Sequence, residues 1–153
     1  MTTATKVSQF LSGHLTLAEL EGIPKSDQYE MATVGYTLLT EGRIEGAERV
    51  FLGLHALDPY DAYFLTALGS IAQRTGRLEE AEGHYSRAIE INPVSVMALA
   101  NRAEVRVLAG RVEDAVLDLE RVAQLDPSGV DPAARRAAMV ARVVMNQLET
   151  QTT

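Results

Sequence analysis

The sequence predicts an all-α fold made of one helix pair repeated three times. Three observations carry that expectation. Pro59, Pro93 and Pro127 stand 34 residues apart. In register with them recur small residues (Gly35, Gly69, Ala103; Ala47, Ala81, Ala115) and large ones (Phe51, Tyr85, Leu119). The text between the helices also repeats, as GRIEGA, GRLEEA and GRVEDA, beginning at Gly42, Gly76 and Gly110.

Counting back from each proline divides the chain into segments 28–61, 62–95 and 96–129. Each glycine of the repeated text sits at position 15 of its segment, after an apolar-periodic stretch. A left-handed residue ends a helix there. Proline ends the second helix, because it lacks the N–H and biases its predecessor away from the α region. Helix pairs are therefore expected over 28–41 and 44–57, 62–75 and 78–91, and 96–109 and 112–125. The position-8 residues Gly35, Gly69 and Ala103 permit close helix approach. Ala47, Ala81 and Ala115 lie at the crossing, and the position-24 side chains fill the space between repeats. A period of about 34 residues closed by proline is the mark of tetratricopeptide repeats, which stack into a right-handed superhelix with a concave face.

Elements outside the repeats complete the plan. An N-terminal arm, 1–25, holds two short helical pieces, 6–11 and 16–20, broken at Gly13. A C-terminal capping helix occupies 131–149, with Asp131 as N-cap and Pro132 at the first helical position. Repeat arrays need caps over their apolar ends. The whole is read as one structural domain of 153 residues.

Composition narrows the function. The net charge is −7, and residues 26–131 carry 18 acidic against 9 basic side chains. Such a body lacks the basic footprint of nucleic-acid binding. Arg135, Arg136 and Arg142 are read as the solvated face of the last helix. No apolar run approaches the ~20 residues of a membrane span, so membrane insertion is not expected. The N-terminus lacks a signal-peptide apolar region, which places the protein in the cytoplasm. There is no cysteine. His14, His55 and His84 have no metal-ligand spacing, and no P-loop or nucleophile elbow is present. No catalytic residue, metal or cofactor is expected. Glu79/Glu80 and Glu113/Asp114 begin second helices, where they offset the helix dipole.

The inward positions of the first helices are the candidate binding site. They are Tyr29, Ala32, Tyr36 and Leu39, then Tyr63, Thr66, Ser70 and Gln73, then Met97, Ala100, Glu104 and Val107. Eight of these twelve are apolar or aromatic and none is basic. Only Asn101 resembles the polar set that clamps a terminal carboxylate. The expected ligand is an extended apolar peptide. The alternative is that the tyrosines pack between helices or under the N-terminal segment.

Two stretches carry a family resemblance. FLSGHLTLAEL (10–20) and LDPYDAYFLTALG (57–69) resemble the translocator chaperones of bacterial type III secretion, the LcrH/SycD-like family. The plan of arm, three repeats and closing helix is similar too. The resemblance implies a cytoplasmic bacterial chaperone that keeps hydrophobic secreted translocators soluble and unassembled before export. It implies a groove for a Pro-x-Leu-x-x-Pro segment, with the first repeat contributing Ala32, Tyr36 and Leu39. It also implies a homodimer through the arm, using Phe10, Leu11, Leu15, Leu17 and Leu20. The competing reading is a generic repeat scaffold that bridges protein partners.

Overall fold

The computed structural model describes residues 1–151. Among them every regular element is helical: α1 (Thr3–Leu11), α2 (Leu17–Glu21), α3 (Lys25–Thr40), α4 (Ile44–Leu57), α5 (Ala62–Arg74), α6 (Leu78–Ile91), α7 (Val96–Leu108), α8 (Val112–Leu125) and α9 (Pro132–Gln151). The pairs α3/α4, α5/α6 and α7/α8 are the expected repeats. The first begins three residues earlier than the periodicity indicates, at Lys25. Contacts group the chain into two compact units, Met1–Phe64 and Leu65–Thr153.

The turns explain the repeated text. Gly42, Gly76 and Gly110 have φ of 76°, 76° and 77°. At each, the glycine N–H and the next N–H reach back to two carbonyls of the preceding helix. At Gly42 these bonds are Gly42 N to Leu39 O (3.2 Å) and Arg43 N to Leu38 O (2.8 Å). That is the Schellman closure, which satisfies carbonyls a helix end would otherwise leave open. The arginine after each glycine then stands at the N-cap of the second helix without a side-chain bond to that helix's N–H groups. First-turn carboxylates, Glu79 and Glu80 in α6 and Glu113 and Asp114 in α8, offset the exposed N–H groups.

In the first unit, α3 packs on α4 through Gly35, where a β-carbon would stand 2.7 Å from the Phe51 ring. Phe51 and Leu54 are fully buried. The arm begins with α1, which has no buried residue. It turns at Gly13 (φ 76°), and α2 follows behind a capping box formed by Thr16 and Glu19. Ala18 of α2 is buried and α2 lies against α4.

In the second unit, Tyr85 and Ala81 of α6 pack with Ala72 and Val105. Leu99, Ala103, Ala115 and Leu119 form a second cluster, which Ala133, Ala137 and Val144 of α9 close. Asp131 caps α9 as expected, its carboxylate accepting from Ala133 N at 2.7 Å. Beside these clusters lies a charged layer. Arg102 donates to both oxygens of the buried Asp118 (2.9 and 2.7 Å) and to Ser86 (3.0 Å). Arg106 joins Asp118 to Glu82, and Arg111 also pairs with Glu82.

Candidate functional site

The predicted inward positions fall into two parts of different chemistry, one in each unit. In the first unit the sequence brings aromatics together. Tyr29 and Tyr36 are two turns apart on α3, and Tyr63 and Phe64 open α5. Tyr63 lies 5.9 Å, centre to centre, from both Tyr29 and Tyr36. Tyr29 meets it edge-on, and Tyr36 stands edge-on to Phe51 at 5.1 Å. Tyr29 and Tyr63 remain 45% and 39% exposed. Such rings present apolar area at low entropic cost. Ala32 and Leu39 are buried. Both are nearly closed to solvent, so the aliphatic anchor expected at Leu39 offers little open surface.

One end of this face is fixed by charge. Lys25 donates to Asp58 (2.5 Å) and Asp61 (2.8 Å), and Tyr29 donates its hydroxyl to Asp61 (2.9 Å). Asp61 also accepts from Tyr63 N at 2.9 Å, which caps α5. One carboxylate thus holds the Tyr29 hydroxyl and the Tyr63 backbone. Burial would raise the Asp61 carboxyl, but bonds from Lys25, Tyr29 and the Tyr63 amide hold it below the ordinary value. Burial would lower the Lys25 ammonium, and the two aspartates outweigh that and raise it. The Tyr29 phenol is raised by burial first and by its bond to Asp61 second. The ammonium also lies 5.8 Å from the Tyr29 ring centre and 5.6 Å from that of Phe64. The sequence shows Tyr29 and the junction motif but not that Lys25 ties them together.

In the second unit the inward face is polar. Thr66 and Ala100 are buried and do not reach it. Ser70, Gln73 and Glu104 line a depression together with Arg74, Asn101 and Arg136. Arg136 of α9 donates to Asn101 (3.0 Å) and approaches Glu104 (3.4 Å). The expectation of an arginine-free face is corrected here. Arg136 arrives from the capping helix, outside the repeat positions that the register inspects. Arg135 is exposed, as the solvated face of the last helix requires, and it also donates to the carbonyls of Gly129 and Val130 at 2.8 Å each. The hydroxyl of Tyr85 reaches Gln73 (2.9 Å) and Ser70 (3.3 Å) from below. Burial pushes that phenol up to about 12. Of the third-repeat positions, Met97 is 42% exposed and Val107 half-buried.

The arm residues differ among themselves. Leu11 is open to solvent, while Phe10, Leu15, Leu17 and Leu20 are half-buried. No group of three or more His, Cys, Asp or Glu side chains among the described residues could hold a metal ion. No described helix is long and apolar enough to cross a membrane.

Comparison with known proteins follows from this geometry. The family model described as tetratricopeptide repeat matches residues 35–95 and 66–130. The chain belongs to the tetratricopeptide repeat family. No curated protein matches its sequence significantly. Among solved structures, a type III secretion complex from Aeromonas hydrophila superposes with a TM-score of 0.82, at 24% identity over 94% of this chain and 97% of that one. The translocator chaperone SycD of Yersinia enterocolitica gives 0.76, at 22% identity over 86% and 98%. SycD in complex with a peptide of the translocator YopD gives 0.73, at 20% identity over 82% and 97%. These likenesses establish a shared fold.

Proposed function

We propose that this tetratricopeptide protein is a cytoplasmic chaperone of bacterial type III secretion. It holds a hydrophobic translocator soluble and unassembled before export. The observation that carries the reading is the face of exposed Tyr29 and Tyr63 with half-buried Tyr36, on a fold like that of SycD, which has been crystallised with a translocator peptide. Each ring offers contact area to an apolar anchor, worth ~1.5–3 kcal/mol when fully buried. A client bound in its unassembled form is withdrawn from aggregation by mass action. The charge of −7 adds repulsion between complexes. The role is one of binding, with no reaction catalysed. Phe10, Leu11, Leu15, Leu17 and Leu20 are assigned to a homodimer contact of the arm, which the exposure of Leu11 and the lack of any buried residue in α1 support.

The test is purification of the tagged protein from its own cells, with mass spectrometry of what accompanies it. A secreted protein with long apolar segments is expected. Recovery of folded, soluble partners alone would favour the bridging scaffold instead.

A further inference from the structure

The polar depression of the second unit carries more hydrogen-bond donors than its own acceptors satisfy. Arg74, at the end of α5, lines it and is exposed. Its guanidinium has no ion-pair or hydrogen-bond partner among the described residues. Arg136 directs Nε to Glu104 and Nη2 to Asn101, which leaves its Nη1 open. The Gln73 amide is held in one orientation. Tyr85 is fully buried and donates its hydroxyl to Gln73 Oε1 at 2.9 Å. Burial pushes that phenol up to about 12, so it stays a donor at neutral pH. With the carbonyl engaged, the Gln73 amide nitrogen is left as a donor.

Repeat stacking does not account for this polar set. Gln73 and Arg74 stand at positions 12 and 13 of their segment, where the other segments have Leu39 and Thr40, and Val107 and Leu108. Position 6 holds the buried Asn101 in the third segment, against Thr33 and Ala67. A cation in the last turn of α5 suits the helix dipole, yet α3 ends in the same glycine turn with no basic residue there. Arg74 and Arg136 against Glu104 leave the lining one positive charge in excess, within a chain of net charge −7.

We propose that this depression binds the side-chain carboxylate of an aspartate or glutamate in an extended peptide, held by Arg74 and the Gln73 amide with Arg136 beside them. A carboxylate accepts from several donors at once and brings a single negative charge, which balances the lining. A phosphate monoester would bring about −1.5 to −2 charges and so leave an excess beside Glu104. The depression, about 540 Å³, is open to solvent. A small free acid would stay largely in water there, whereas sites for small ligands bury most of the ligand's surface. In a peptide, the residues flanking the acid can rest on Leu108, which lines the depression and is 65% exposed. Repulsion from the rest of the acidic chain is screened beyond ~8–10 Å in ordinary buffers, so the local donors decide. The site is built from residues of the second unit alone and does not depend on the function assigned to the tyrosine face.

The probe is a short peptide with acetylated and amidated ends, a central glutamate and leucines beside it, titrated into the isotopically labelled full chain and followed by NMR. The side-chain N–H signals of Arg74 and Gln73 should shift saturably. The same peptide with glutamine in place of the glutamate should bind about tenfold more weakly or worse, because it loses the charge-assisted bonds. Arg74→Gln should weaken the glutamate peptide by a similar factor. Arg74 is exposed, so the melting temperature should hold. Tyr63→Ala should leave this binding unchanged, which keeps the result separate from that for the tyrosine face. Absence of binding, equal binding of the glutamine peptide, indifference to Arg74→Gln, loss in Tyr63→Ala or tighter binding of inorganic phosphate would each overturn the proposal. So would a preference for a peptide whose one carboxylate is its own C-terminus, since the depression would then read a chain end.

Discussion

Tyr85 lies across the backbone of Gly69, so closely that a β-carbon on that glycine would stand 2.5 Å from the ring. Both residues are buried, and the ring cannot swing away, because its hydroxyl bonds to Gln73. Gly69→Ala should therefore destabilise by ~1–3 kcal/mol through overpacking. Gly83 sits in α6 with open space where its β-carbon would go. Gly83→Ala should be neutral or stabilising by ~0.4–1 kcal/mol, since alanine restricts the unfolded chain and favours the helix. Urea midpoints of the two variants check the contrast. Equal effects would show that the helix approach at Gly69 is looser than described.

The buried ion layer gives a second contrast. Asp118 is 3% exposed and accepts from two arginines. Asp118→Ala leaves Arg102 and Arg106 partly buried without that carboxylate, and breaking such a pair typically costs ~3–5 kcal/mol. Arg87 pairs with Glu90 on the surface, with both side chains more than half exposed. Arg87→Ala should change stability by ~0.5 kcal/mol or less. Thermal unfolding of both variants tests the pair. A mild Asp118→Ala would mean that water reaches the layer.

Protonation should limit stability at both ends of the pH scale. The Asp61 carboxyl is held below its ordinary value of 3.8. Its contribution is present above that value and is lost as pH falls through the lower, folded one. Lys25, Tyr29 and Tyr85 are raised from 10.5, 10.0 and 10.0. Their contributions are complete below those values and are lost as pH rises through the folded ones. Two variants separate the limbs when denaturant midpoints are followed against pH. The deficit of Asp61→Asn relative to the parent should shrink in acid, once the native carboxyl is protonated. Tyr85→Phe should lose less stability than the parent between pH 10 and about 12. A constant Asp61→Asn deficit down to strong acid would separate that carboxylate from acid unfolding.

What could be read from the sequence, and what could not, divides along a physical line. The helices, the Schellman turns and the burial of Ala81 and Phe51 depend on residue type at a fixed period, and the period was legible three times over. The Asp131 cap and the break at Gly13 are local signals of the same kind. The charged layer escaped because Arg102 and Arg106 have no counterparts at their positions in the first two segments, where Val34, Leu68, Leu38 and Ala72 stand. Arg136 escaped because its target, Asn101, is 35 residues away in the chain. Ala32 and Leu39 were assigned to the inner face by position alone, yet both are buried, which position in the repeat does not reveal.

The tyrosine face yields the prediction closest to function. Affinity for an extended apolar peptide should rest on Tyr36 and Tyr63, whose side chains meet at 5.9 Å. Removing either ring takes away part of a contact that can contribute ~1.5–3 kcal/mol, so Tyr36→Ala and Tyr63→Ala should each weaken binding about tenfold or more. Tyr63 is 39% exposed, so its loss should barely move the melting temperature. Tyr36 packs on the buried Phe51, so Tyr36→Ala should cost stability as well, and Tyr36→Phe should restore both properties. Burial of apolar area is little screened by ions, whereas contact between exposed charges weakens beyond the ~8–10 Å screening length of ordinary buffers. Calorimetry with a translocator-derived peptide at low and moderate salt separates the two cases. Nearly constant affinity that falls in both alanine variants is the expected outcome. A steep salt dependence that ignores both tyrosines would move the binding site to the polar face of Gln73, Arg74 and Arg136, and with it the reading of the protein from chaperone to scaffold.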